Sequence, residues 1–556
     1  MNKEKKIRLA DFLTQYLYAK GVRSVFMLSG TGSIHLDDAF AHQKGLRYIC
    51  ARHEAAATIM AEASAKLTQN IGVMVATTGP GGTNAIGGIV EAWVDSVPVL
   101  VISGQVESSQ ISKDVRSFGV QGFNVIENVE KVTKYAAQIK DPMMVRYHLE
   151  KALFLAKDGR PGPVWLDIPF DIQSKLVIPK KLKAFRGKSI PHKIKKDKID
   201  IVFKNLKKAK KPVIIFGQGI RSSKSINIFK DLLKITKIPA ISARMGLDIL
   251  PYDYPYYFGL GGMRGQRLPY EILKSADLVI AIGTSYTHAF GGKNYNAYKN
   301  KAKFIMVNID SKELNKTNFK PDMKIKTDLS LFITDLKKKI LNESSYKVKE
   351  TWLSRCKKLK KELSPSFTKK SNPINSYSFI DCLNSHTNSD HIFVNDAGSA
   401  NYICSQALIL KEGQRELTSG AFYSMGIAVP MAIGASVTEP TKQIIVITGD
   451  GSIELNIQEL RTISLNKLNI KVFVINNGGY ASIRKSQDDM VGGRYTDDEE
   501  VLNFKKISEA FEIPFTRISD YGKLSKNIPQ IFKTKGPALI ELMCDPKQEI
   551  LEIFGA

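Results

Sequence analysis

The sequence predicts an α/β protein made of three doubly wound parallel-sheet domains. Short β-branched runs that end in glycine turns recur along the chain, each followed by residues at helical spacing. A lysine-rich, apolar-poor stretch at 175–211 and a polar helical stretch at 343–372 cut this alternation into three blocks. Domains are therefore expected at 1–174, 200–340 and 373–556, a division that suits a chain of 556 residues.

In the first block, residues 7–20 carry apolar positions at helical spacing and stop at Gly21, a C-cap signal. Strand Val22–Leu28, the turn Ser29–Ser33 and a helix from about Ile34 follow. Strand Arg47–Cys50 leads into His53-Glu54-Ala55-Ala56-Ala57, which opens an alanine-rich helix. Strand Ile71–Thr77 ends in the tight turn Gly79-Pro80-Gly81-Gly82-Thr83-Asn84, and Val97–Ser103 and Val164–Ile168 complete a parallel sheet. On local grounds Glu54 is a first-turn acid that complements the helix dipole.

The middle block offers strands Pro212–Phe216, Ala240–Ser242, Asp277–Ile282 and Phe304–Ile309. Gly217-Gln218-Gly219 after the first of these is a weak nucleotide signal, because such turns recur in Rossmann-like domains without ligands. Gly259–Gly265 (GLGGMRG) is a second glycine loop that also fits a plain turn.

The third block holds the most informative pattern. Strand His391–Asn395 precedes Gly398-Ser399-Ala400, and strand Gln443–Thr448 ends at Gly449-Asp450-Gly451-Ser452. A helix-compatible stretch, Asn456–Leu465, and strand Ile470–Ile475 then deliver Asn476-Asn477. This frame sets Asp450 and Asn477 at the C-terminal ends of two strands, where open α/β sheets bind ligands. A carboxylate and an amide oxygen are hard ligands suited to Mg²⁺ or Ca²⁺, of which Mg²⁺ commonly bridges protein to phosphate, and the Gly451 and Ser452 amides at a helix start suit the phosphate itself.

Composition excludes several classes. The formal charge is +27, but the excess is mostly lysine in stretches lacking interleaved aromatics, so nucleic acid is not an expected partner. No apolar run reaches 18 residues and the first residues lack an apolar signal core, so no membrane partner and a cytoplasmic location are expected. Five scattered cysteines form no CxxC pair, which speaks against a disulfide frame or zinc site.

GDGS, followed 24 residues later by NN, resembles the signature of the thiamine-diphosphate (ThDP) enzymes. The wider chain resembles the acetolactate synthase large, catalytic subunit. That likeness implies a pyrimidine-binding first domain, a central Rossmann-like domain and a diphosphate-binding third domain. It gives Glu54 the role of proton partner to the cofactor's aminopyrimidine, with Pro80 and Asn84 lining the same side. It implies Gln121 as an active-site glutamine, and Gly398, Ser399, Ala400, Gly451, Ser452, Tyr480 and Ala481 as cofactor contacts. Thr418–Gly426 (TSGAFYSMG) resembles the synthase TSGGLGAMG, so Met425 would sit beneath the thiazolium and the Tyr423 carbonyl would accept from the 4′-amino group. Asp450, Asn477 and the Gly479 carbonyl would hold Mg²⁺, and Gly492–Tyr495 lies where synthases cover the site.

The resemblance implies a carboligase that forms an enamine from pyruvate or a related 2-oxo acid and adds it to a carbonyl acceptor, a 2-oxo acid or a keto-sugar. A 2-oxo-acid decarboxylase or oxidase without carboligation is the alternative. It also implies a homodimer or homotetramer with sites at the subunit interface. The synthase central domain binds FAD, but its Arg-x-Asp-Asp pattern is replaced here by Gly283–His288 (GTSYTH), which argues against FAD. Phe170 stands where the synthase has a lysine, and His35 follows the first glycine turn; both shift attention to acceptors other than pyruvate.

Overall fold

The computed structural model describes all residues except 1–4, 113–114, 190–191, 293–301, 344–345, 365–370, 497–499 and 552–556. The outermost ends of the expected first and third domains and parts of the 343–372 connector thus lie outside the described residues. No helix among the described residues is long and apolar enough to cross a membrane.

Three six-stranded parallel sheets, each flanked by helices, form the molecule. In the first, the spatial order is Arg47–Cys50, Ser24–Met27, Gly72–Ala76, Val99–Gln105, Val164–Pro169, Tyr135–Gln138. The third repeats that pattern as Arg415–Leu417, His391–Asn395, Gln443–Gly449, Ile470–Asn476, Ala538–Met543, Phe515–Ile518. The middle sheet runs Tyr257–Leu260, Ala240–Ser242, Pro212–Phe216, Leu278–Ile282, Lys303–Asn308, Met323–Lys326, the order of a dinucleotide-type fold. Inner strands are buried on both faces, which is why they read as unbroken apolar runs rather than alternations.

The first and third sheets share a helical layer. Helix Glu54–Thr68 packs on helix Ala428–Thr438, and both contribute to one continuous apolar core. The alanines of the first helix make this close approach feasible: a Cβ on Gly434 would lie 2.2 Å from the Met60 carbonyl oxygen. A larger residue at Gly434 would force the two domains apart.

The 175–211 stretch is not merely an exposed linker. Leu176–Val177 pairs antiparallel with Ile7–Arg8, and Lys196–Lys208 forms a helix. Its lysines face water while Ile199, Val202, Phe203 and Leu206 enter the middle core, so a charged composition concealed an amphipathic period. Helix Glu350–Leu363 in the second connector likewise buries Trp352, Leu353 and Cys356.

Candidate functional site

The C-terminal edge of the third sheet gathers the expected diphosphate-side residues. Asp450, at the end of strand Gln443–Gly449, is 2% exposed. One carboxylate oxygen accepts from the Gly451 amide at 2.9 Å; the other accepts from Asn477 N at 3.0 Å and Gly479 N at 2.9 Å. Burial pushes this carboxyl up, and the amides of Gly479, Gly451, Asn477 and Gly478 work against the shift. A short helix, Asp450–Glu454, opens at Asp450 itself, so the motif occupies its first turn, and helix Glu459–Leu465 follows within the expected stretch.

The Asn477–Ala481 turn stands beside it. Gly478 and Gly479 take left-handed backbone, which lets the chain fold back so that its amides face Asp450. The Tyr480 ring covers Gly451 so closely that a Cβ there would lie 2.6 Å from it. Arg484 is buried and donates to the Asn477 and Gly478 carbonyls, fixing the turn from behind. Ser399 and Ser482 hydroxyls lie 3.4 Å apart, which places the Gly398–Ala400 loop against the start of helix Ala481–Val491.

Tyr423 and Met425 belong to the same edge. Asn456 Nδ2 donates to the Gly426 carbonyl at 2.9 Å, holding the Tyr423–Gly426 segment next to the GDGS helix. Tyr423 adopts φ +55°, a left-handed conformation costly for a bulky residue, and Met425 is exposed. Asp396 was not singled out by the sequence, yet it organises this region. Its fully buried carboxylate accepts from Ala397 N and Gly426 N, both at 2.9 Å, and from Thr448 Oγ1 at 3.0 Å. The available signal was an acid directly before a glycine loop at a strand end.

The second half-site lies on the first sheet. Glu54 is 4% exposed at the start of helix Glu54–Thr68 and accepts from Asn84 Nδ2 at 3.0 Å. Helix Pro80–Val94 supplies that asparagine, so the Pro80 turn and Glu54 are structurally coupled. Gln121 sits in a tight loop at φ +63°, with its carbonyl packed on Gly79. The His35 and Phe170 rings lie 5.0 Å apart on the rim of this sheet. Glu459, another residue the sequence did not flag, accepts from Arg52 N at 2.7 Å and so steadies the turn before Glu54.

Within one chain the two groups of residues meet opposite ends of shared helices. Helices Glu54–Thr68 and Pro80–Val94 carry Glu54, Pro80 and Asn84 near their N-terminal ends. Near their C-terminal ends a buried cluster of Glu62, Lys66, Glu91 and Asp95 meets the loop that leads to Tyr423. Glu54 and Lys66 are twelve residues apart, about 18 Å along a helix axis.

The middle domain opens onto a cavity of about 770 Å³ that reaches all three domains. Gly217–Gly219, Gly261–Gly265 and Gly283–His288 line it at the C-terminal ends of their strands, with Asp95 and Tyr423 on the far side. Gly492–Tyr495 follows helix Ala481–Val491; Arg494 pairs with Asp488 at 2.7 Å and Tyr495 is 83% exposed. Its neighbours 497–499 lie outside the described residues.

Comparison with known proteins matches each of the three sheets to a family model. Residues 7–129 match the N-terminal TPP binding domain of the thiamine pyrophosphate enzymes, 199–336 the central domain, and 396–542 the C-terminal TPP binding domain. The chain is similar to the acetolactate synthase large subunit of Lactococcus lactis, 31% identical over 99% of this chain and 96% of that protein. It is 30% identical to the chloroplastic acetolactate synthase of Arabidopsis thaliana over 98% of this chain and 82% of that one. The isozyme 1 large subunit of Escherichia coli is 27% identical over 98% and 95%. The chain therefore belongs to the thiamine pyrophosphate enzymes and is a ThDP-dependent enzyme of the acetolactate-synthase-like kind.

Proposed function

We propose that this chain is a ThDP- and Mg²⁺-dependent decarboxylating carboligase that joins a two-carbon unit from pyruvate, or a related 2-oxo acid, to a carbonyl acceptor. The observation that carries this reading is the pairing of a buried Glu54–Asn84 half-site with the Asp450–Gly479 half-site, in a chain similar over nearly its whole length to acetolactate synthases.

The residues present fit the cofactor. Among the described residues no group of three or more His, Cys, Asp or Glu stands ready for a metal. A single buried carboxylate beside an amide and backbone carbonyls suits Mg²⁺ when phosphate oxygens complete its shell, as this cation prefers. Asp450, Asn477 and Gly479 would hold the cation. The helix start at Ser399 and the Gly451–Ser452 amides would take the diphosphate. Bound ThDP supplies a nucleophilic carbon and an electron sink for decarboxylation.

The chain's own residues position that chemistry and manage its protons. Glu54, enclosed and oriented by Asn84, would share a proton with the aminopyrimidine ring. The Tyr423 carbonyl would accept from the amino group, and Met425 would support the ring junction from below. Gln121 and the His35–Phe170 rim would face the acceptor, and that aromatic wall supports a neutral keto-sugar acceptor beside a second 2-oxo acid.

Thr418 is tied to Lys66, about 18 Å along the helix from Glu54, and Ser424 to Glu91, about 10 Å from the Asn84 that holds Glu54, so Glu54 and the Tyr423 segment of one chain stand apart. This supports a homodimer or homotetramer in which each site takes one half from each copy. The central cavity has the size of a nucleotide site, but its Gly283–His288 loop lacks the charged pattern of flavin-binding synthases, so FAD is not part of this proposal.

Incubation of the enzyme with ¹³C-pyruvate, ThDP, Mg²⁺ and candidate acceptors, followed by mass spectrometry, tests the reading. A labelled adduct two carbons heavier than its acceptor is expected. Release of the labelled aldehyde or acetate alone, with every acceptor unchanged, would establish the non-ligating alternative.

A further inference from the structure

The Glu62–Lys66–Glu91–Asp95 cluster is deeply buried, lies outside both half-sites, and joins them. Lys66 Nζ lies 2.7 Å from Glu62 Oε1 and 2.8 Å from Asp95 Oδ2, and donates to the Thr418 carbonyl at 2.9 Å. The Gly420 amide donates to both oxygens of Asp95, at 3.1 and 3.0 Å. Ser424 Oγ donates to Glu91 Oε2 at 2.6 Å, and Ser419 also reaches this carboxylate. The first domain thus grips the third at Thr418, Gly420 and Ser424, each with a charged group.

Burying one ammonium with three carboxyl groups is expensive, and apolar side chains would fill this space at less cost. What the charges provide is direction. The segment they hold contains Tyr423, whose left-handed backbone needs outside contacts to persist, and Met425, which projects into solvent. Ser419 Oγ accepts from Tyr423 N at 2.7 Å, and Asp396 holds Gly426, so the segment is fixed at both ends. Ser424 lies between Tyr423 and Met425, and its hydroxyl reaches Glu91. The same helix, Pro80–Val94, carries Asn84, which orients Glu54.

We propose that Glu91 is a positioning residue for the ThDP reaction: through Ser424 it sets the Tyr423 carbonyl and Met425 at the distance and angle the cofactor needs, with Lys66 and Asp95 anchoring the start of the same segment. The proposal rests on the ThDP reading of the two half-sites. Glu91 touches neither cofactor nor substrate and acts only through the segment it holds.

The test compares Glu91→Ala, Glu91→Gln and Ser424→Ala with the wild type. In cofactor-free protein, hydrogen–deuterium exchange of the amides in residues 418–426 reads the clamp directly. It should quicken roughly tenfold in Glu91→Ala and Ser424→Ala, and remain near wild type in Glu91→Gln, whose amide oxygen still accepts from Ser424. With saturating ThDP and Mg²⁺, proton exchange at the cofactor's thiazolium C2 should fall roughly ten- to a hundredfold in both alanine variants, as expected for a misplaced cofactor. The double alanine variant should be no slower than Glu91→Ala alone, because that variant has already lost the Ser424 contact. If wild type itself binds no ThDP, the underlying reading fails. If wild type binds ThDP and exchanges the C2 proton, but the folded alanine variants do so at the same rate, Glu91 has no positioning role. Ser424→Ala guards against misfolding, because it removes one hydroxyl from a partly exposed segment and leaves the ion cluster intact.

Discussion

Asp450 and Gly479 belong to different strand-end turns, yet the Gly479 amide donates to the Asp450 carboxylate at 2.9 Å. A buried acid thus serves two purposes: it closes the second turn onto the first and offers charge at the sheet edge. Replacing it leaves the Gly451, Asn477 and Gly479 amides without their acceptor.

Asp450→Ala should weaken ThDP binding in the presence of Mg²⁺ by roughly a hundredfold, the equivalent of about 3 kcal/mol for a charge-assisted contact. Isothermal calorimetry measures this. An affinity equal to wild type would remove Asp450 from the metal site.

Gly451→Ala tests the shape of the same pocket. The added methyl would meet the Tyr480 ring at 2.6 Å, so the ring and the turn that carries it must move. ThDP affinity should drop about tenfold, and Tyr480→Ala in the same chain should recover part of the loss. A double variant as weak as Gly451→Ala alone would show that the glycine serves some other purpose.

Much of this site was legible because it is local. GDGS and NN lie at strand ends, and strands such as Pro212–Phe216 and His391–Asn395 carry uninterrupted apolar runs whose bounds the sequence predicts to the residue. Edge strands were harder. Tyr135–Gln138, Phe515–Ile518 and Met323–Lys326 are short and half-wet, and Arg415–Leu417 is buried but opens on two charged residues, so all four lack that run. Tyr257–Leu260 hides in a glycine loop. Ala538–Met543 is a different case: it is buried and apolar, and a reading led by motifs passes over it. Long-range partners had no local signal. Glu459 meets Arg52, and Glu91 meets Ser424, only because two domains pack through an alanine-rich helix.

The buried cluster makes a pH prediction. Burial pushes the Glu62 carboxyl from 4.5 up to about 8, with Lys66 opposing and Asp95 and Glu91 adding to the rise. Between those values the folded chain keeps a proton that the unfolded chain has lost, so stability falls as pH rises through this window. Glu62→Gln has no proton to lose. Relative to the variant, wild type should lose on the order of 2 kcal/mol between pH 5 and pH 8.5 in chemical denaturation. Parallel stability–pH curves would show that Glu62 ionises normally in the fold.

The central cavity gives a prediction visible by eye. Purified protein should be colourless or carry flavin well below one per chain, because Gly283–His288 offers no Arg-x-Asp-Asp pattern. An absorbance spectrum with stoichiometric flavin would show that other contacts in the 770 Å³ cavity suffice.

The most direct test of the account is Glu54→Gln. Glutamine keeps the size of the side chain and an oxygen for Asn84, but it cannot share a proton with the cofactor ring. ThDP and Mg²⁺ should still bind, since Asp450 and Asn477 stand on the other sheet. The measurement is proton–deuterium exchange at the thiazolium C2 of bound ThDP, which needs no knowledge of the acceptor. The account predicts a rate roughly 10²–10⁴-fold below wild type, the usual scale of general acid–base catalysis. Exchange at the wild-type rate with ThDP still bound would contradict it and leave Glu54 as a helix-start residue alone.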